Sequence, residues 1–210
     1  MEFVYVVPRK LLFPDCYPQG LVNFSSDQER ADFDALVQRE GFFVERDYAE
    51  RTPALKQVIP YTVFRVDGQI LVMRRLKTGG ESRLHNKLSL GVGGHINPID
   101  SGEENADPIR LGTEREIEEE IDIVGSYELR TVGFLNDDSN PVGAVHLGVV
   151  QFAEVSGTLE IREKDMLEGR FVAPESLHEL LKRGENFENW SSILIESLDE
   201  LTPNQELVRP

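Results

Sequence analysis

Cysteine is almost absent from this chain: Cys16 stands alone, so no intramolecular disulfide, C-x-x-C zinc site or redox pair can be built. A single thiol agrees with a reducing compartment. No stretch approaches the run of about 18 apolar residues that a membrane span requires. The opening Met1-Glu2-Phe3-Val4-Tyr5-Val6-Val7-Pro8 lacks the basic start and longer apolar run of a signal peptide, and the expectation is a cytoplasmic protein. Positive charge is scarce, with 22 Lys and Arg against 38 Asp and Glu and a net charge of −16. That field repels a nucleic-acid polymer or an anionic membrane, so neither is expected as a partner. A small anionic substrate remains admissible if a divalent cation stands between it and the protein.

What is present is ordinary globular material: 210 residues, 40% of them hydrophobic, enough for one core domain with an elaboration. Phe3 to Leu12 is apolar and rich in β-formers, interrupted by Pro8. After a Pro/Gly-rich link, Ser26 and Glu29 read as a capping box for a helix over Asp27 to Glu40, with Gly41 as its closing residue. Phe42 to Val44 reads as a strand. Tyr61 to Phe64 and Ile70 to Met73 flank Asp67-Gly68, a hairpin signature. Thr78 to Glu81 reads as a loop, Leu88 to Asn97 as a glycine-rich strand-to-loop passage, and Pro108 to Ile123 as a helix. Strands are expected at Glu128 to Leu135 and Ala144 to Ala153, then helices at Glu175 to Lys182 and Phe187 to Leu198. A division falls near residue 58. Residues 1–58 form an N-terminal α/β unit, either a cap over the site or a homodimer surface, and residues 59–210 hold the rest.

Thr113-Glu114-Arg115-Glu116-Ile117-Glu118-Glu119-Glu120 is the informative segment. Glu116, Glu119 and Glu120 stand at i, i+3 and i+4, so their carboxylates share one helical face. Like charges at this spacing cost about 0.2–0.5 kcal/mol per pair, and their place near the helix C-terminus adds about 0.3–1 kcal/mol each against the macrodipole. A solvated acidic face is the plain alternative. A divalent cation would remove the cost, because clustered carboxylate oxygens suit Mg²⁺ or Mn²⁺. Gly91-Val92-Gly93-Gly94-His95, upstream, is a loop in which backbone can approach a ligand closely.

These residues resemble the Nudix hydrolase superfamily (MutT-like), whose signature is G, five residues, E, seven residues, then R-E-U-x-E-E-x-G-U with U apolar. Arg115 to Ile121 matches the second half position by position, Ile123 supplies the last U, and Gly93-Gly94 is similar to the family's double glycine. The resemblance covers roughly residues 59–180. Gly94 and Arg115 are 21 positions apart, about seven more than the family pattern, with the extra residues placed in Asn97 to Glu104. Counting back from Arg115, Asp107 takes the place of the first glutamate, with Glu103 or Glu104 as alternatives, and Asp122 replaces the closing glycine. Arg83 to Asn97 is similar to a less characterised subgroup of predicted phosphoesterases.

The resemblance implies a Nudix-type α/β/α sandwich with mixed sheets, an α/β fold class with the N-terminal α/β elaboration added. It implies a pyrophosphohydrolase, a Mg²⁺-dependent (or Mn²⁺-dependent) enzyme that attacks a diphosphate linkage with water in a small phosphorylated substrate such as a nucleoside diphosphate derivative. Metal ligation falls to Glu116, Glu119 and Glu120, helped by a main-chain carbonyl near Gly93-Gly94. Arg115 would hold a neighbouring carboxylate, and the base is Glu116, Glu119 or a loop acid among Glu163, Asp165 and Glu168. Arg74, Arg75, Gly94 and His95 are candidate substrate contacts. The bland readings are a strand-end charge for either arginine and a loop hydrogen bond for His95, while His146 reads as structural. Three rivals are a ligand-sensing Nudix module, an isoprenoid diphosphate isomerase, and a nucleic-acid regulator. The intact carboxylate set argues against the first. Cys16 lies far from the acidic segment, against the second, and no basic face supports the third.

Overall fold

The computed structural model describes residues 1–76, 87–102, 106–162, 164, 165 and 167–201, the side chains of Arg75 and Glu200 excepted. The first half contains β1 (Phe3–Pro8), α1 (Arg9–Leu12), β2 (Gly20–Asn23), α2 (Asp27–Glu40), β3 (Phe42–Glu45), α3 (Arg46–Ala49), β4 (Leu55–Val66), β5 (Gln69–Arg75), β6 (Leu88–Ser89) and β7 (Gly91–Gly93). The second contains α4 (Pro108–Glu120), β8 (Ile121–Asn136), β9 (His146–Ile161), β10 (Leu167–Val172), α5 (Pro174–Lys182), α6 (Asn189–Glu196) and α7 (Leu198–Leu201).

The ten strands form one mixed sheet whose main path runs β10-β5-β4-β9-β8-β2. β4 and β9 pair in parallel from Gln57↔His146 to Val66↔Val155, and the other pairings are antiparallel. β4 is the axis. Its second edge is shared by β1 at Leu55–Gln57, β7 at Tyr61–Val63 and β5 at Arg65–Val66. β4 therefore crosses the division read at residue 58, and β1 and β2 both lie in the common sheet. Alternation along β5 separates two cores. Leu71 and Met73 pack with Ile117 of α4, while Ile70 and Val72 pack with Leu177 of α5 and Leu194 of α6. The sheet is thus sandwiched between helices, as the family resemblance implies. Phe33 and Val37 of α2 join Ile109 of α4 and Leu147 of β9 in a third cluster.

The local signals decide most element ends. Ser26 Oγ accepts the Glu29 N–H at 3.2 Å, but the Glu29 carboxylate turns to the N–H and hydroxyl of Ser25, both at 2.7 Å, so the capping box is shifted by one residue. Gly41 is not left-handed, having φ −80°. A β-carbon there would collide with the Tyr5 ring, whose hydroxyl donates to the Val37 carbonyl at 3.0 Å. The Asp67-Gly68 turn, at φ 50° and 78°, has the two positive values of a type I′ hairpin. Trp190 lies over Gly148, where a β-carbon would press on its ring, and meets Tyr61 edge-on at 5.5 Å. Lys56, with no exposed surface, pairs with Asp138 at 2.7 Å.

Asp34 on α2 sits half-buried near Asp107. Burial, reinforced by that carboxylate and only partly offset by Arg30, pushes its carboxyl up to about 6. The folded state therefore holds this proton more tightly than the unfolded chain. The resulting stabilisation is complete below the unfolded value of 3.8 and disappears as pH rises through about 6. Asp34→Asn should accordingly gain on the wild type by about 1 kcal/mol between pH 5 and 7.5, allowing for solvent screening. Urea unfolding at the two pH values measures this, and a constant difference would refute it.

Candidate active site

α4 is fixed at its start by Asp107, whose Oδ1 accepts the N–H of Ile109 at 3.0 Å and of Arg110 at 3.3 Å, with Pro108 in the first turn. The Thr113 hydroxyl lies 2.7 Å from the Ile109 carbonyl and 3.0 Å from Gln151 Oε1, tying the helix to β9. Ile117 is buried in the sheet, which sets the rotation of the helix. α4 ends abruptly, since Ile121 is already extended at φ −124° and begins β8. Asp122 pairs with Glu160 in that strand. No left-handed residue is needed there, which is why aspartate stands in place of the closing glycine.

Arg115 organises the site. Its Nε and Nη2 donate to the two oxygens of Asp100 at 2.9 and 3.0 Å, and Nη2 also donates to the His95 carbonyl at 2.8 Å. Its Nη1 reaches Glu116 at 2.7 Å and Glu119 at 3.2 Å. Asp100, 3% exposed, lies in a 3₁₀ turn over Pro98–Ser101 and accepts the Asn97 N–H at 2.8 Å. Asp100, above all, holds the guanidinium well above its usual range. The carboxylate that Arg115 grips is therefore Asp100, whereas Asp107 is a helix cap. The usable signal was there: Asp100 follows Gly94 after five residues, and the insertion lies between Asp100 and Arg115, not before it. Glu103 and Glu104 lie outside the described residues.

Gly94 is the floor. A β-carbon on it would overlap the Glu116 carboxylate. Glu116 is shielded, its side chain 13% exposed against 56% for Glu119, and burial raises its carboxyl while Arg115 pulls it back. Glu120 follows on the same face, partly exposed. Among the described residues no three acidic, imidazole or thiol side chains gather closely enough to hold a metal ion; Glu116 and Glu119 converge instead on Arg115 Nη1. That shared contact shows that both carboxylates reach a single cationic centre, and their hard oxygen donors fit a divalent ion, with Glu120 one turn from Glu116.

The remaining predicted residues are dispersed. His95 turns its ring to His146, Nε2 to Nε2 at 3.3 Å. Burial, then Arg46 and His146, push it down to about 3, so it is neutral at ordinary pH. Arg74 pairs with Glu168 at 3.4 Å and lines a pocket of about 260 Å³ with Val72, Leu88 and Arg170. This pocket is on the α5 side of the sheet, so the structure does not bring Arg74 beside the α4 carboxylates. The Arg75 side chain, Glu163, the loop at Thr78 to Glu81 and the segment Arg83 to Asn86 lie outside the described residues. Cys16 is exposed. Among the described residues no helix is long and apolar enough to cross a membrane.

No family model matches the sequence. Protein YmaB of Bacillus subtilis (strain 168) is 34% identical over 206 residues, covering 94% of this chain and 98% of that protein. The crystal structure of Tm1382, a candidate Nudix hydrolase, superposes with a TM-score of 0.78 at 29% identity, over 96% of this chain and 100% of that one. The Nudix domain of Shewanella oneidensis NrtR, solved with ADP ribose, shares the fold alone, with a TM-score of 0.50 at 14% identity, over 70% and 89% of the two chains.

Proposed function

Because the chain belongs to the Nudix hydrolase superfamily and is a Nudix-type pyrophosphohydrolase, we propose that it cleaves the diphosphate linkage of a small nucleoside diphosphate derivative or related phosphorylated metabolite at Glu116, Glu119 and Glu120. The supporting observation is the Arg115 junction: one guanidinium joins buried Asp100, the His95 carbonyl and two helix carboxylates. Nudix hydrolases generally use divalent metals. Mg²⁺ or Mn²⁺ held by the three glutamates would lower the pKa of water and offset charge on the phosphate oxygens. The chain's own part is orientation and proton transfer. Asp100 and His95 hold Arg115, Arg115 sets the rotamers of Glu116 and Glu119, and the more exposed Glu119 takes the proton from the attacking water. The test is formation of new phosphomonoesters or pyrophosphate with Mg²⁺ or Mn²⁺. Over ADP-ribose, dinucleotides and nucleotide sugars it is read as phosphate freed by added alkaline phosphatase and inorganic pyrophosphatase above a no-enzyme control. Over nucleoside triphosphates and inositol phosphates it is read as released phosphate or pyrophosphate. Turnover of at least one is expected; release from none would overturn the reading.

Gly94→Ala probes the floor of the site. The added methyl meets the end of a flexible side chain, so Glu116 should move aside at a stability cost within about 1 kcal/mol. Displacing that carboxylate by about 1 Å should lower kcat by about 10²-fold. A variant of unchanged kcat would show that Glu116 is not needed in its present position.

A further inference from the structure

We propose that His146 is a positioning residue for this site, acting through His95; the proposal rests on the reading of Glu116, Glu119 and Glu120 as divalent-cation ligands. His146 begins β9, directly opposite Gln57 of β4. Its Nδ1 lies 2.6 Å from the Val142 carbonyl. A carbonyl only accepts, so Nδ1 carries a proton; in the neutral ring Nε2 then presents its lone pair to His95 Nε2, which donates across the 3.3 Å between them. The ring of His95 is thereby fastened to β9.

The main chain of the same residue carries the consequence. The His95 carbonyl accepts Arg115 Nη2 at 2.8 Å, and the preceding Gly94 lies against the Glu116 carboxylate. The bond from His95 and the two from Asp100 tether the guanidinium on one side, leaving only Nη1 toward Glu116 and Glu119. If the ring loses its anchor and the carbonyl drifts, Asp100 alone holds the guanidinium on that side, and Arg115 shifts its balance toward the glutamates. It then competes, as a cation, with a divalent ion for the same oxygens.

The experiment is Mn²⁺ binding without substrate, followed by electron paramagnetic resonance on the full chain, for the wild type, His146→Leu, His146→Gln and His95→Leu. Leucine removes the acceptor, and glutamine can keep an amide oxygen toward His95. His146→Leu and His95→Leu should each weaken Mn²⁺ binding by about tenfold, a typical outer-sphere effect, with His146→Gln within about threefold of the wild type. Should His146→Leu fail to fold by thermal melting, His95→Leu carries the test from the other side of the link. Wild-type affinity in a folded leucine variant, or a glutamine variant as weak as leucine, would overturn the proposal alone. Absence of Mn²⁺ binding by the wild type would overturn it together with the metal-site reading beneath it.

Discussion

Replacing Glu119 and Glu120 together by glutamine is expected to lower turnover by about three orders of magnitude or more, the effect of losing several kcal/mol of charge stabilisation at the phosphate. The same change should leave the fold intact or slightly firmer. Without a divalent ion the three glutamates repel one another at the end of α4, and each i,i+3 or i,i+4 pair removed returns about 0.2–0.5 kcal/mol, which offsets the loss of the half-exposed Glu119–Arg115 pair. Opposite signs for catalysis and stability distinguish a binding face from a structural one. Thermal melting supplies the companion measurement. Mg²⁺ at about 100 times its Kd should stabilise the wild type by about 2.7 kcal/mol and leave the double variant unmoved. Equal turnover in the two proteins would remove the metal assignment, whatever the melting curves show.

Asp100→Asn should be the most destabilising single change at the site, by about 3 kcal/mol, because it leaves Arg115 against a buried neutral amide in place of a bidentate carboxylate. Arg115 keeps Glu116 and Glu119 as partners and is partly exposed, which holds the cost toward the lower end for a broken buried pair. Asp107→Asn is the control. Asparagine caps helices about as well as aspartate, so a change within about 1 kcal/mol is expected. Urea unfolding of both variants decides which acid belongs to Arg115, and a larger loss at Asp107 would reverse the assignment made from geometry.

The parts legible in the sequence were those with short-range causes. The i, i+3, i+4 carboxylates and the Arg115-Glu116 pair lie within one helix, and the Asp67-Gly68 turn needs only its own backbone preferences. Asp100 was misread because spacing was counted from Arg115 across an insertion, and only the fold shows which acid comes back to the guanidinium. Strand lengths were underestimated for another reason. β8 begins at Ile121, yet most of Asp122 to Glu128 is exposed, so its polar residues hide a ladder that pairing with β9 sustains. β2, four residues inside a Pro/Gly-rich link, exists because Phe134 and Leu135 of β8 offer an edge. Gly41 was right as a glycine and wrong in its reason. Its cause is a tyrosine 36 positions earlier in the chain, beyond any local pattern.

The seat of Trp190 over Gly148 gives the molecule a built-in optical reporter. It is the one tryptophan in the chain, packed edge-on to Tyr61 on the α6 face of the sheet, while Arg115 and its carboxylates belong to the helix on the opposite face. Its emission therefore follows the docking of α6 and has no direct contact with the carboxylate junction. A site variant with native emission and altered cation affinity has suffered a local change, and one whose emission shifts to the red has lost the sandwich itself.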